Sequence, residues 1–100
     1  MMRPVKISRA LSRKLDAIDF SESAWHVYNP LAYAKGAYEQ YLGTYGLRPR
    51  QIVLLGMNPG PWGMVQTGVP FGEVSYVRDW LGIATGVKKP RQQHPKRPIE

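Results

Sequence analysis

The sequence predicts an α/β fold organised on a parallel sheet, and three observations predict it. Gln51 to Leu55 is a short apolar run rich in branched side chains, the pattern of a strand covered on both faces. It runs straight into a loop, residues 56–73, that holds five of the chain's ten glycines and three of its nine prolines. Apolar residues at helical spacing flank this pair on either side. With 100 residues the chain is at most one domain, and its 43% hydrophobic content fits a globular one.

The elements follow in order. Ile7, Leu11, Leu15 and Ile18 recur at spacings of four, four and three, so residues 1–25 read as a basic amphipathic helical segment with Lys6, Arg9, Arg13 and Lys14 on its other side. Packing through the apolar stripe is its first duty. Asn29-Pro30 has the form of an N-cap followed by proline at the first helical position, and Ala34, Tyr38, Tyr41 or Leu42, and Tyr45 continue one face until Gly46. Those tyrosines suit packing better than base stacking. After the turn-like Leu47-Arg48-Pro49 comes the strand, then the loop. Val74, Val77 and Leu81, with Trp80 beside them, predict a further helix, and Glu73 stands where a helix N-terminus favours an acid. From Thr85 the chain is polar, basic and proline-rich. A covered parallel strand needs neighbours for its hydrogen bonds, and one strand with three helices does not supply them. Residues 1–100 are therefore expected to be the N-terminal part of a larger domain.

Composition removes several chemistries. No cysteine is present, which excludes disulfides, thiolate nucleophiles and cysteine-ligated metals, and two histidines, His26 and His94, are too few for an imidazole cage. Neither metal nor cofactor is expected. No apolar run reaches the roughly 18 residues of a membrane span, and an intracellular protein without membrane contact is expected. The net charge of +7 is concentrated at the ends. Arg3, Lys6, Arg9, Arg13 and Lys14 stand near the start without an acid, and Lys88, Lys89, Arg91, Lys96 and Arg97 near the end, while the centre is slightly acidic. Two basic flanks around a near-neutral middle suit a polyanion gripped on either side of a working site, or a solubilising surface.

A phosphate-binding loop is one possible use of strand, glycines and helix, but no Gly-Lys-Ser/Thr follows the glycines, and Pro59 and Pro61 each remove an amide from any phosphate nest. No serine lies in the loop to act as a nucleophile. Asn58, Gln66 and Thr67 offer neutral hydrogen bonds and Phe71 an aromatic face, a set suited to a flat, polar, uncharged heterocycle. The competing reading of Asn58 is that it merely caps a turn.

The run Gly56-Met-Asn-Pro-Gly-Pro-Trp-Gly-Met-Val-Gln-Thr-Gly-Val-Pro-Phe-Gly-Glu-Val74 resembles the first active-site motif of the single-strand-selective monofunctional uracil-DNA glycosylases, a branch of the uracil-DNA glycosylase superfamily. The resemblance extends through Val27-Tyr-Asn-Pro30, Val77-Arg-Asp-Trp-Leu-Gly82 and His94-Pro-Lys-Arg-Pro98, covering residues 26–98 with the motif at 56–73. It implies a three-layer sandwich around a central parallel four-stranded sheet, of which this chain supplies the N-terminal helices, the first strand and the active-site loop. It also implies base-excision repair, in which uracil and 5-substituted uracils such as 5-hydroxymethyluracil are released from single- and double-stranded DNA by a monomeric enzyme. The compartment would be cytoplasm or nucleoid in a bacterium and nucleus in a eukaryote. By the same resemblance Asn58 positions the attacking water, Phe71 stacks on the base, Gly60 leaves room at C5, and Met57 and Met64 line the pocket. Lys88, Lys89, Arg91, Lys96 and Arg97 are assigned to DNA. The family's uracil-reading asparagine and leaving-group histidine belong to later sequence, and neither His26 nor His94 matches that histidine. A non-catalytic basic nucleic-acid-binding module is the alternative.

Overall fold

A computed structural model describes residues 3–19, 27–83, 87–90, 93, 96, 98 and 99. The N-terminal segment has proline only in its first turn, where no helical hydrogen bond is lost, and it forms α1 (Arg3–Asp16). The helix does not dock through the apolar stripe. Val5 and Ser8 are buried, whereas Ile7, Leu11 and Ile18 are 60%, 48% and 50% exposed. Polar anchors set this rotation. Arg9 donates to both oxygens of Glu39, from Nη2 at 2.7 Å and from Nε at 3.1 Å. Asn29 Nδ2 donates to Ser12 O at 3.3 Å and to Asp16 Oδ1 at 2.9 Å. Residues 9, 12 and 16 share a helix face that hydrophobic spacing alone does not identify.

The single helix expected after Asn29 is two. Asn29 Oδ1 accepts from Leu31 N–H at 3.1 Å and starts α2 (Pro30–Tyr33), with proline at its first position. The path breaks at Ala34 (φ −110°, ψ 26°) before α3 (Lys35–Tyr45). Two distant segments meet this break. The carbonyl of Tyr33 accepts from the Lys88 amide at 2.7 Å. Gly68 packs so closely on Ala34 that an added Cβ would lie 2.5 Å from the Ala34 Cβ. On α3 the tyrosines pack along one another, with centroids 6.3 Å apart for Tyr38 and Tyr41 and 5.7 Å for Tyr41 and Tyr45. Arg50 closes the helix by donating to Tyr45 O from Nε at 3.2 Å and from Nη2 at 2.9 Å.

The loop carries a short helix, α4 (Met64–Thr67), which ends on Gly68 in the left-handed region at φ 75°. Beyond it Glu73 stands at the helix start where an acid was expected, and it also caps, accepting from the Ser75 amide and hydroxyl and from the Tyr76 amide. The helix that follows is wider than expected, a π-helix at Tyr76–Leu81. Gly82 N–H and Ile83 N–H both reach back to Val77 O. Val77 is buried while Val74 and Trp80 remain exposed, so one face of the predicted stripe is only partly used. Ala37, Val69, Val77 and Ile83 form the core, with Tyr41 and Leu81 packed against it. The core therefore joins α3, the loop and the π-helix. Helix α1 touches α2 and α3, and α2 also touches α4.

Residues 51–55 differ most from the expectation. No β-strand occurs among the described residues. Ile52, Val53, Leu54 and Leu55 are 75–95% exposed. No backbone group of residues 51–59 hydrogen-bonds to another described residue. The run has strand composition but no neighbour to pair with, and a lone strand is not a stable element.

Candidate active site

The loop divides into an open half and a closed half. In the open half Asn58 is exposed, and its amide hydrogen-bonds to no described residue. The comparison with Asn29 is informative, since both precede proline. Asn29 is engaged at both amide atoms in capping α2 and tethering α1. Asn58 caps nothing among the described residues, so the turn-cap reading fails and its donor and acceptor remain open to water or ligand. Met57 stands 97% exposed beside it.

The closed half begins at Gly60, whose carbonyl accepts from Gly63 N–H at 3.2 Å and Val65 N–H at 3.0 Å. The hydroxyl of Tyr33 donates to Val65 O, and burial raises the Tyr33 hydroxyl well above the usual phenol value. Gln66 and Thr67, read from sequence as polar groups for a ligand, are both buried. Gln66 Nε2 donates to Pro61 O at 3.1 Å and Pro98 O at 2.6 Å. Thr67 Oγ1 lies 2.8 Å from Gly72 O, 3.3 Å from Gly63 O and 3.2 Å from Val69 N, the last as acceptor. Their hydrogen bonds hold the loop rather than a ligand.

Phe71 leaves this closed half as a residue 67% exposed. The ring stands over Gly56, where an added Cβ would lie 3.3 Å from Phe71 Cζ. Folding thus brings Phe71 back beside the start of the motif, two residues before Asn58. Gly60 faces open space, since a Cβ there meets nothing closer than Gly63 N at 3.9 Å. The two methionines stand in different surroundings. Met64 and Pro59 line a groove of about 1070 Å³ with Leu11, Leu15, Tyr33 and Tyr38, and Met57 is not part of it. Lys88, Lys89 and Lys96 are exposed, and Arg91, Arg97, His26 and His94 lie outside the described residues. Among the described residues no group of three or more acidic or histidine side chains could hold a metal ion, and no helix is long and apolar enough to cross a membrane. The glycine spacing signalled a ligand loop, but only the fold separates its holding residues from its open ones.

No family model matches the chain. Comparison with curated proteins finds the single-strand selective monofunctional uracil DNA glycosylase of Bos taurus, 54% identical over 89 residues. The corresponding proteins of Rattus norvegicus and Mus musculus are 51% and 49% identical over the same length. Each match takes in 89% of this chain and about a third of the relative (33%, 32% and 32%). Identity at this level across nearly all of the chain implies the uracil-DNA glycosylase superfamily fold. By its sequence the chain is similar to the single-strand-selective monofunctional uracil-DNA glycosylases over about a third of their length.

Proposed function

We propose that the full-length protein is a base-excision repair glycosylase that hydrolyses the N-glycosidic bond of uracil and 5-substituted uracils in DNA and leaves an abasic site. The observation that carries this reading is an unengaged Asn58 amide on a loop whose exposed aromatic residue, Phe71, folds back over Gly56, two positions before it, in a chain half identical to named uracil-DNA glycosylases. Asn58 orients the attacking water, Phe71 supports the flat base, and the open space at Gly60 admits a substituent at C5.

So mild a set of groups suits a dissociative reaction. An amide is too weak a base to drive attack by water on an intact bond. If the glycosidic bond breaks first, toward an oxocarbenium-like sugar and a uracil anion, Asn58 need only hold a water where it captures the cation. Residues 51–75 contain no lysine to form a covalent sugar adduct, in keeping with simple hydrolysis. Single-stranded DNA largely spares the few kcal/mol of extruding a base from duplex.

The fold part of the proposal gives residues 51–55 the role of first strand in a central parallel four-stranded sheet between helical layers, with residues 1–100 as the N-terminal part of one domain. The bare branched side chains of Ile52 to Leu55 support it. Lys88, Lys89, Arg91, Lys96 and Arg97 are the proposed phosphate contacts, and the protein works where the DNA is. The deciding experiment incubates full-length protein with a uracil-containing oligonucleotide and probes for alkali-labile sites. Cleavage at the uracil position is expected; binding without cleavage would leave a nucleic-acid-binding module instead.

A further inference from the structure

Phe71 has φ 59°, the only positive value at a non-glycine position among the described residues. Its place in a turn explains the sign. Gly72 N–H donates to Val69 O at 2.9 Å, closing a four-residue turn with Pro70 second and Phe71 third. Proline in the second position excludes the mirror-image turns, so a positive φ in the third defines type II, whose third residue is ordinarily glycine. An aromatic residue there is held by its surroundings and not by its own preference.

One side chain grips both ends of that turn. Thr67 Oγ1 accepts from Val69 N–H at 3.2 Å and donates to Gly72 O at 2.8 Å, with Gly63 O a longer alternative at 3.3 Å. The group is buried, so water does not compete for these bonds. Gly72 completes the seat, because a Cβ there would lie 2.5 Å from Val77 Cγ2 and 2.8 Å from Val69 O. The turn is pinned at its first and fourth residues while the third projects its ring into solvent.

We propose that Thr67 is a positioning residue whose hydroxyl holds Phe71 in the left-handed conformation, so that the ring is already in place when a flat base arrives. This rests on Phe71 being the stacking residue of the proposed glycosylase. Thr67 then affects turnover through Phe71, and a purely structural hydroxyl would not.

The test is a double-mutant cycle in the full-length protein, with uracil release from a single-stranded oligonucleotide as readout. Thr67→Val is expected to lower kcat/KM by about tenfold, and Thr67→Ser to restore it to within about twofold. In a Phe71→Ala background, Thr67→Val should cost less than about twofold. Amide exchange at Gly72, which needs no turnover, should quicken in Thr67→Val and not in Thr67→Ser. Equal losses in both backgrounds, or a Gly72 amide indifferent to the hydroxyl, overturns the proposal. If Thr67→Val does not fold, Thr67→Ser against Thr67→Cys makes the same comparison of a hydroxyl with a weaker thiol. Wild-type protein that releases no uracil overturns the glycosylase reading itself, which an active wild type with additive losses does not.

Discussion

Asn58 and Asn29 show how far residue identity carries. The two share an Asn-Pro dipeptide, yet one is engaged at both amide atoms and the other meets no described partner. Asn58→Ala should therefore leave folding intact and slow base release by a factor of 100 or more, on the scale of losing a transition-state positioning group, while DNA binding changes little. Single-turnover rates beside binding isotherms check this. Equal loss in both would give Asn58 a DNA-holding role. Gly60→Tyr probes the space at this position, since an added Cβ there would meet nothing closer than Gly63 N at 3.9 Å. Release of 5-hydroxymethyluracil should fall at least tenfold more than release of uracil, a discrimination of the size steric fit supplies. Phe71 is the opposite kind of residue, identified by its motif but held at φ 59° at a cost of about 1–2 kcal/mol that only its surroundings offset.

Among the elements, α1 shows where periodicity misleads. Its apolar stripe predicted the docked face, but the Arg9–Glu39 pair and the Asn29 contacts dock an adjacent face and leave Ile7, Leu11 and Ile18 uncovered. The hydrogen bonds from Arg9 hold the Glu39 carboxyl below the usual carboxylate range. A lowered folded value means that the pair stabilises α1 fully above the unfolded value of about 4.3 and that this is lost as pH falls through the folded one. Acid titration followed by amide exchange should therefore show α1 loosening below about pH 4.3, with Glu39→Gln removing that pH dependence. The break between α2 and α3 was equally invisible in sequence, because Gly68 and Lys88, which meet Ala34 and Tyr33 there, lie more than thirty residues away. The Glu73 cap was legible because its partners are its immediate neighbours, Ser75 and Tyr76.

At the scale of the molecule the chain exposes 7801 Å², against the about 5,700 Å² of a folded monomer of 11.3 kDa. Ile52, Val53, Leu54 and Leu55, with Ile7 and Leu11 of α1, are among its exposed large apolar side chains. Residues 1–100 made alone should bind a hydrophobic dye, aggregate at micromolar concentration and show no uracil release; a soluble, dye-negative, active 100-residue protein would refute the larger-domain reading. If about five basic groups of the C-terminal flank meet phosphates of a single strand, affinity of the full-length protein should fall by about two decades between 50 and 200 mM salt. A flat response would remove those residues from the DNA contact.

From the sequence alone came the order of strand-like run, glycine-proline loop and helix, the acid at the helix start, the absence of cysteine and the family that the motif resembles. Each depends on residue type at short range, where hydrogen-bond partners and turn preferences lie within a few positions. Tertiary structure decided which face of α1 docks, that Gln66 and Thr67 hold the loop instead of a ligand, and that Asn58 stays open while Asn29 does not. Most of those outcomes turn on partners far along the chain, Arg9 with Glu39, Asn29 with Asp16 and Gln66 with Pro98, whereas Thr67 bonds within five residues and it is burial that keeps it from a ligand. No local pattern encodes which of two chemically similar side chains will find such a partner.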